Sequence, residues 1–343
     1  MNHEQLKRRP FLVILIFVLS SLISFPLKDS FASGKELPVF ISDNTIYFNP
    51  GLSNSGALLD FEADSVVIPL KRAGKLFLIE ASIDGVEGNL AFDTGAGGLV
   101  VNSIYFRDHV KSGSSYSNGI TGSVGKISQV NIGEMEFANL QYKKLRADLV
   151  DLGHLENKRN VKIIGLIGFN LVRDFEIVID AKNSELRLYR IDKAGNRVGK
   201  TRTQFVSDYK QEFYEKADIL FLKAEIGGKT LNFCFDTGAE TNVLSSYAKK
   251  DILNTLTITR RKVLKGAGKS GSEVLYGRMN DFVIGDRKIT GMETIVTNLN
   301  ALSEAYNRPI SGILGCSFME KGIICINFKV KQFAIRYWEG GEK

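Results

Sequence analysis

The chain repeats itself, and the repeat is marked by a pair of aspartates. Asp93-Thr94-Gly95-Ala96 returns as Asp236-Thr237-Gly238-Ala239, each copy directly after an apolar run, Leu90-Ala91-Phe92 and Phe233-Cys234-Phe235. The spacing from 93 to 236 is 143 residues, about the size of one small domain. Sliding the chain by that amount sets Ala81 on Ala224, Gly85 on Gly228 and Phe92 on Phe235 without a gap. Further on, at a shift of 147, Gly165-Leu166-Ile167-Gly168 falls on Gly312-Ile313-Leu314-Gly315. The second copy therefore holds a small net insertion between the two matched blocks. A period of this length predicts two related units, at 66–190 and 210–338, rather than a local duplication.

What surrounds these units is of a different kind. Lys7-Arg8-Arg9 precedes a mostly apolar stretch from Phe11 to Ile23, and Ser30-Phe31-Ala32 supplies a small-x-small site. This is the layout of a secretory signal peptide at 1–32. Its apolar run falls short of the ~20 residues of a spanning helix, so cleavage is expected over a retained anchor, with no stable membrane insertion afterwards. The destination is then the periplasm or the extracellular space. Residues 33–65 have no counterpart in the second copy and form an extension that could pack on the first lobe or occlude a cleft. Residues 191–209, polar and basic, read as the linker, and 339–343 as a short tail.

The 343 residues, 44% hydrophobic and 24% charged, are ordinary for globular domains and suffice for two cores. The net charge of +7 falls to about +5 when four basic and two acidic residues leave with the leader. The densest basic patch, Arg260-Arg261-Lys262 with Lys265 and Lys269, has no interleaved aromatics, so no nucleic-acid partner is expected. Three cysteines, Cys234, Cys316 and Cys325, allow one bridge at most and are read first as small core residues.

Short β-branched or aromatic runs between glycines and charges predict strands. They lie at 66–70, 76–83, 89–92, 130–132, 177–179 and 186–189, and in the second copy at 219–226, 230–235, 274–276, 282–284, 323–328 and 333–337. Asp84-Gly85 and Gly227-Gly228 suit tight hairpins. Short helices are expected at 169–174 and 317–321.

The chemistry resides in the two aspartates. One carboxylate at neutral pH is a poor hydrolytic catalyst. Two held about 3 Å apart repel, one pKa rises, and the pair shares a proton. The ionised member can then take a proton from a water held between them while the other donates to a carbonyl oxygen. Thr94 and Thr237 offer hydroxyls that can fix the turn and cross to the other unit. Gly95 and Gly238 allow a tight backbone with the N–H aimed at a carboxylate. Asp93 and Asp236 are the expected catalytic pair, with Thr94, Gly95, Thr237 and Gly238 in support.

These motifs resemble the retropepsin-like aspartic proteases, in the bacterial secreted form with two lobes fused in one chain. Phe92-Asp93-Thr94-Gly95-Ala96 and Phe235-Asp236-Thr237-Gly238-Ala239-Glu240 match the first block of that family, and Ile164 to Leu171 and Ile313 to Phe318 the second. The resemblance covers about 66–338. It implies an all-β fold of two acid-protease barrel lobes with a cleft between them, an aspartic endopeptidase acting on peptide or protein substrates, no metal and no cofactor. Because both lobes are in one chain, a monomer is expected. It also implies a hairpin flap over the cleft, with candidates at 119–125 (Gly119, Gly122) and 265–271 (Gly266, Gly268). The first lobe continues its motif as Gly97-Gly98 where the second has Glu240-Thr241, so the lobes need not be equivalent.

Other readings fare less well. Gly266 to Gly271 spells Gly-x-Gly-x-x-Gly, but a strand rather than a helix is expected after it, and Val263 stands where a phosphate loop needs its first glycine. Gly315-Cys316-Ser317-Phe318-Met319 lacks the last glycine of a serine-hydrolase elbow. His109 and His154, the histidines left after the leader, are too few and too scattered for a zinc site or a serine triad. The rival from another class is a catalytically silent or latent module that binds peptide or protein on the same fold.

Overall fold

The computed structural model describes residues 58–59, 63–119, 122–216, 219–265 and 271–338. The leader at 1–32, most of the extension at 33–65, Gly266, Gly268 and the tail at 339–343 lie outside the described residues. The described chain is all-β with five short α-helices.

The first lobe is a closed barrel. Leu140–Val150 pairs with Leu99–Asn102, which pairs with Ile163–Ile167, then Val86–Phe92, Leu76–Ile83 and Gly122–Phe137. Gly122–Phe137 pairs back onto Leu140–Val150 and completes the circuit. Closure removes the sheet edges that would otherwise be left to aggregate. Ile163–Ile167 is buried at every position, as expected of a strand with neighbours on both sides and covered faces.

The second lobe repeats the order with Met292–Thr297, Asn242–Ser245, Gly312–Leu314, Lys229–Phe235, Ile219–Ile226 and Phe282–Ile284. Its long strands are broken. Where the first lobe has Gly122–Phe137, the second has Gly271–Met279 and Phe282–Ile284 around Asn280 and Asp281. Where the first has Leu140–Val150, the second has Arg287–Ile289 and Met292–Thr297 around Gly291, whose φ is +67°. In Ile219–Ile226 the alternation is visible, with Leu222, Ala224 and Ile226 inward and Lys223 and Glu225 outward. Asp84-Gly85 and Gly227-Gly228 have positive φ at both positions, the geometry of the hairpin turns predicted for them.

A six-stranded sheet joins the lobes, in the order Tyr209–Glu212, Gln332–Tyr337, Gly322–Asn327, Phe175–Asp180, Glu185–Arg190 and Ser65–Pro69. Its middle pair takes one strand from each repeat, with Val178 opposite Cys325. Tyr209 opens the first of these strands and Ser65 the last, each one residue inside the segments expected to be linker and extension. The expected helices are shorter than drawn: a 3-10 turn at Phe169–Leu171 and an α-turn at Cys316–Met319. Both follow a glycine, and Val172 and Glu320 end them after one turn. All three cysteines are free and buried.

An aromatic stack crosses from lobe to lobe beneath the two Asp-Thr-Gly turns. Phe169 packs edge-on against Phe92 at 6.4 Å and stacked on Phe235 at 6.5 Å, and Phe235 meets Phe318 and Phe333.

Candidate active site

Each Asp-Thr-Gly turn leaves the end of a strand that is clamped by the second block. Val86–Phe92 runs parallel to Ile163–Ile167, with Phe92 opposite Ile167, and Lys229–Phe235 runs parallel to Gly312–Leu314, with Phe235 opposite Leu314. The Asp93 N–H then donates to the Ile167 carbonyl and the Asp236 N–H to the Leu314 carbonyl, both at 3.0 Å. The glycine that ends each second block sits under the loop. A Cβ on Gly168 would lie 2.1 Å from the Ala96 carbonyl oxygen, and one on Gly315 would lie 2.4 Å from that of Ala239. No larger residue fits there, which is the reason for the apolar-apolar-glycine signature.

The threonines tie the turns together reciprocally. The Thr94 N–H donates to Thr237 Oγ1 (3.0 Å), and the Thr237 N–H donates to Thr94 Oγ1 (2.9 Å). Each hydroxyl passes its own proton onward, Thr94 to the Phe235 carbonyl (3.2 Å) and Thr237 to the Phe92 carbonyl (2.7 Å). Both threonines are fully buried, and both hydroxyls act as donor and acceptor at once.

This grip brings Asp93 and Asp236 together at the lobe junction, both out of contact with solvent. The Gly95 N–H donates to Asp93 Oδ1 (2.9 Å) and also reaches across to Asp236 Oδ1 (3.2 Å). The Gly238 N–H donates to Asp236 Oδ1 at 2.8 Å. Asp236 Oδ1 thus accepts two backbone N–H groups and Asp93 Oδ1 one. The Oδ2 atoms of both aspartates are buried without a partner among the described residues.

The electrostatics follow that asymmetry. Burial raises the Asp93 carboxyl well above the ordinary carboxylate range, and the Asp236 charge and side chain raise it further, against smaller lowering by the Gly95 and Ala96 N–H groups. Burial also raises Asp236, opposed by the Asp93 side chain and the Gly238, Gly95 and Ala239 N–H groups. Asp93 is therefore the member that keeps a proton, and Asp236 the one better furnished to hold a charge. Next door, burial and then the Asp236 charge push the Cys234 thiol up, so it stays protonated and unreactive.

Two neighbours, Arg159 and Asn242, were not legible as site residues. Glu240 forms an ion pair with Arg159, whose Nε also donates to the Ala73 carbonyl. The two side chains are only 10% and 6% exposed. Arg159 ends the helix Gly153–Arg159 of the other lobe, and nothing in its local sequence marks it. Asn242, fully buried, accepts the Gly315 N–H at its Oδ1 (2.9 Å) and so fixes the glycine under the second turn.

The two flap candidates lie in hairpins. Lys111–Gly119 pairs with Gly122–Phe137, with Gly119 facing Gly122 at the end of the ladder. Leu256–Lys265 pairs with Gly271–Met279; Gly266 and Gly268 lie between these strands, outside the described residues. The first hairpin touches the helix Asn300–Ala305 of the opposite lobe. Among the described residues no cluster of histidine, cysteine and acidic side chains has the makings of a metal centre.

Fold and site can be set beside known families. Residues 222–318, from within the strand Ile219–Ile226 to Phe318, match the model of the aspartyl protease family. No curated protein matches the chain.

Proposed function

We propose that the protein is a single-chain, bilobal aspartic endopeptidase that hydrolyses peptide bonds with a water activated between Asp93 and Asp236. The observation that carries this reading is the pair of buried carboxylates, one from each lobe, linked through the Gly95 N–H, with one oxygen of each left without a partner. A buried polar atom without a partner calls for a reason, and here a shared water or a substrate carbonyl satisfies both.

In this reading the ionised Asp236 takes a proton from the water as its oxygen bonds to the carbonyl carbon, and Asp93 gives its proton to the carbonyl oxygen. The resulting diol collapses as the C–N bond breaks. Asp236 returns its proton to the departing nitrogen, and Asp93 recovers one from a diol hydroxyl. No covalent enzyme intermediate forms. An extended peptide lies across the cleft under the hairpin Lys111–Phe137. The enzyme is exported, acts in the periplasm or outside the cell, works as a monomer on peptide or protein substrates, and uses neither nucleic acid nor a metal.

The test is cleavage of a diverse peptide library from acid to neutral pH, with and without an aspartic-protease transition-state inhibitor, beside Asp93→Asn. Inhibitor-sensitive cleavage absent in the variant supports the reading. Equal cleavage by the variant sinks it.

A further inference from the structure

A second concavity, of about 920 Å³, lies in the second lobe away from the aspartates. It opens at the start of Lys229–Phe235, the end opposite Asp236. Seven residues at about 3.3 Å each put it within roughly 20 Å of the dyad. Its volume is that of a site for an organic ligand rather than a single ion.

Its lining is amphipathic and one-sided in charge. Leu231, Ile252 and Ile310 give an apolar floor. Lys229, Lys249 and Arg308 bring three cations, against Glu304 at the exposed rim. Lys229 is paired with Asp251; Lys249 and Arg308 have no carboxylate partner among the described residues. Arg308 is held flat by the Tyr214 ring, 4.1 Å from its guanidinium carbon, and its Nε is buried without a hydrogen-bond partner. Stacking pre-orders the fork that binds carboxylates in two-pronged fashion.

The serines add to this. Ser245 Oγ accepts the Tyr247 N–H, Ser303 Oγ the Ile310 N–H and Ser311 Oγ the Asn232 N–H. Each oxygen accepts one backbone N–H, which leaves each hydroxyl its proton to donate and one lone pair. The pocket therefore offers donors and positive charge over an apolar base. One of its walls, the helix Asn300–Ala305, is the element that the first hairpin touches.

We infer that this pocket is an exosite for an acidic peptide segment, taking carboxylates on Arg308 and Lys249 and apolar side chains on the floor. It deepens the endopeptidase reading by naming the substrates preferred: chains with acidic and apolar residues within about six extended positions of the scissile bond.

Binding is read separately from hydrolysis, in the full chain carrying Asp236→Asn, by fluorescence anisotropy. The probe is a labelled, capped hexapeptide of alternating Leu and Asp; the control replaces every Asp by Asn. The acidic peptide should bind about tenfold more tightly than the control, and Arg308→Gln or Lys249→Gln should each remove most of that margin. Lys249 is exposed, so its variant tests the site without threatening the fold. Equal affinity for the two peptides, affinity unchanged in both variants, or displacement of the acidic peptide by an equal concentration of inorganic phosphate would each overturn the inference. Acid-selective binding without any hydrolysis by the unsubstituted chain would support the exosite while removing the endopeptidase reading. Hydrolysis without acid selectivity would do the reverse.

Discussion

At the scale of single residues, the two aspartates differ by one backbone donor, and in the proposed mechanism that difference assigns their roles. Asp93→Asn and Asp236→Asn should each lower peptide hydrolysis by at least about 10³-fold, as judged by initial rates on a cleaved library peptide. The pH profile should be bell-shaped. Both carboxyls are raised above 3.8, so the acid limb, where Asp236 takes up a proton, and the alkaline limb, where Asp93 loses one, should both stand above the ordinary carboxylate range. The effect on stability has a definite sign. Between 3.8 and its raised value Asp93 binds its proton more in the folded than in the unfolded chain, so this group's contribution falls as pH rises through that window. Urea midpoints measured across pH 4–8 should decline less in Asp93→Asn than in the unsubstituted protein. The threonines have a structural role instead. Thr94→Val removes an acceptor from the Thr237 N–H and a donor from the Phe235 carbonyl, and should lower stability by about 1–3 kcal/mol; Thr94→Ser should recover most of that in the same denaturation series.

At the scale of elements, what positions the dyad is a strand end pinned from below. Gly168→Ala would press a methyl group to within 2.1 Å of the Ala96 carbonyl. The turn must then move, so activity should fall together with thermal stability, and the two should not separate. Phe169, 1% exposed and touching Phe92, Phe235 and Phe328, anchors the stack that both turns share. Phe169→Ala should destabilise by about 3–5 kcal/mol in equilibrium unfolding. The elements were legible to different degrees. Strands 76–83 and 219–226 stood out because their apolar runs end in two-residue turns of fixed chemistry. Gly153–Arg159 and Asn300–Ala305 did not, because helices of one or two turns carry too few positions to show a period. The break at Asn280 falls between the strands expected at 274–276 and 282–284, whereas the one at Gly291 was not readable in advance, since an isolated glycine occurs in turns and strand breaks alike.

At the scale of the whole molecule, the lobes are joined by the central sheet, the aromatic stack and a buried ion pair found on one side only. Glu240 holds Arg159, whereas its counterpart in the first lobe is Gly97, which has no side chain to offer. Removing one partner leaves the other charge buried and alone. Arg159→Met should therefore lose about 3–5 kcal/mol, while Arg159→Met with Glu240→Leu should regain much of it. A double-mutant cycle by chemical denaturation checks this. Failure of the double variant to regain stability would mean that the hydrogen bond from Arg159 to the Ala73 carbonyl, rather than the ion pair, is what matters.

The sequence by itself determined the repeat, the all-β character, the two Asp-Thr-Gly turns and the glycine blocks that pack beneath them. These are features of local chemistry: an apolar run feeding a turn, a glycine where no Cβ fits, a period carried by whole lobes. The tertiary structure alone decided which carboxylate receives the extra N–H, which arginine meets Glu240 across 81 residues of chain, which hairpin lies against the opposite lobe, and that a donor-lined pocket opens behind the second lobe. Each of these depends on distances between parts of the chain far apart in sequence. Burial and Coulomb energies vary with such distances, and no spacing of residue types along the chain encodes them.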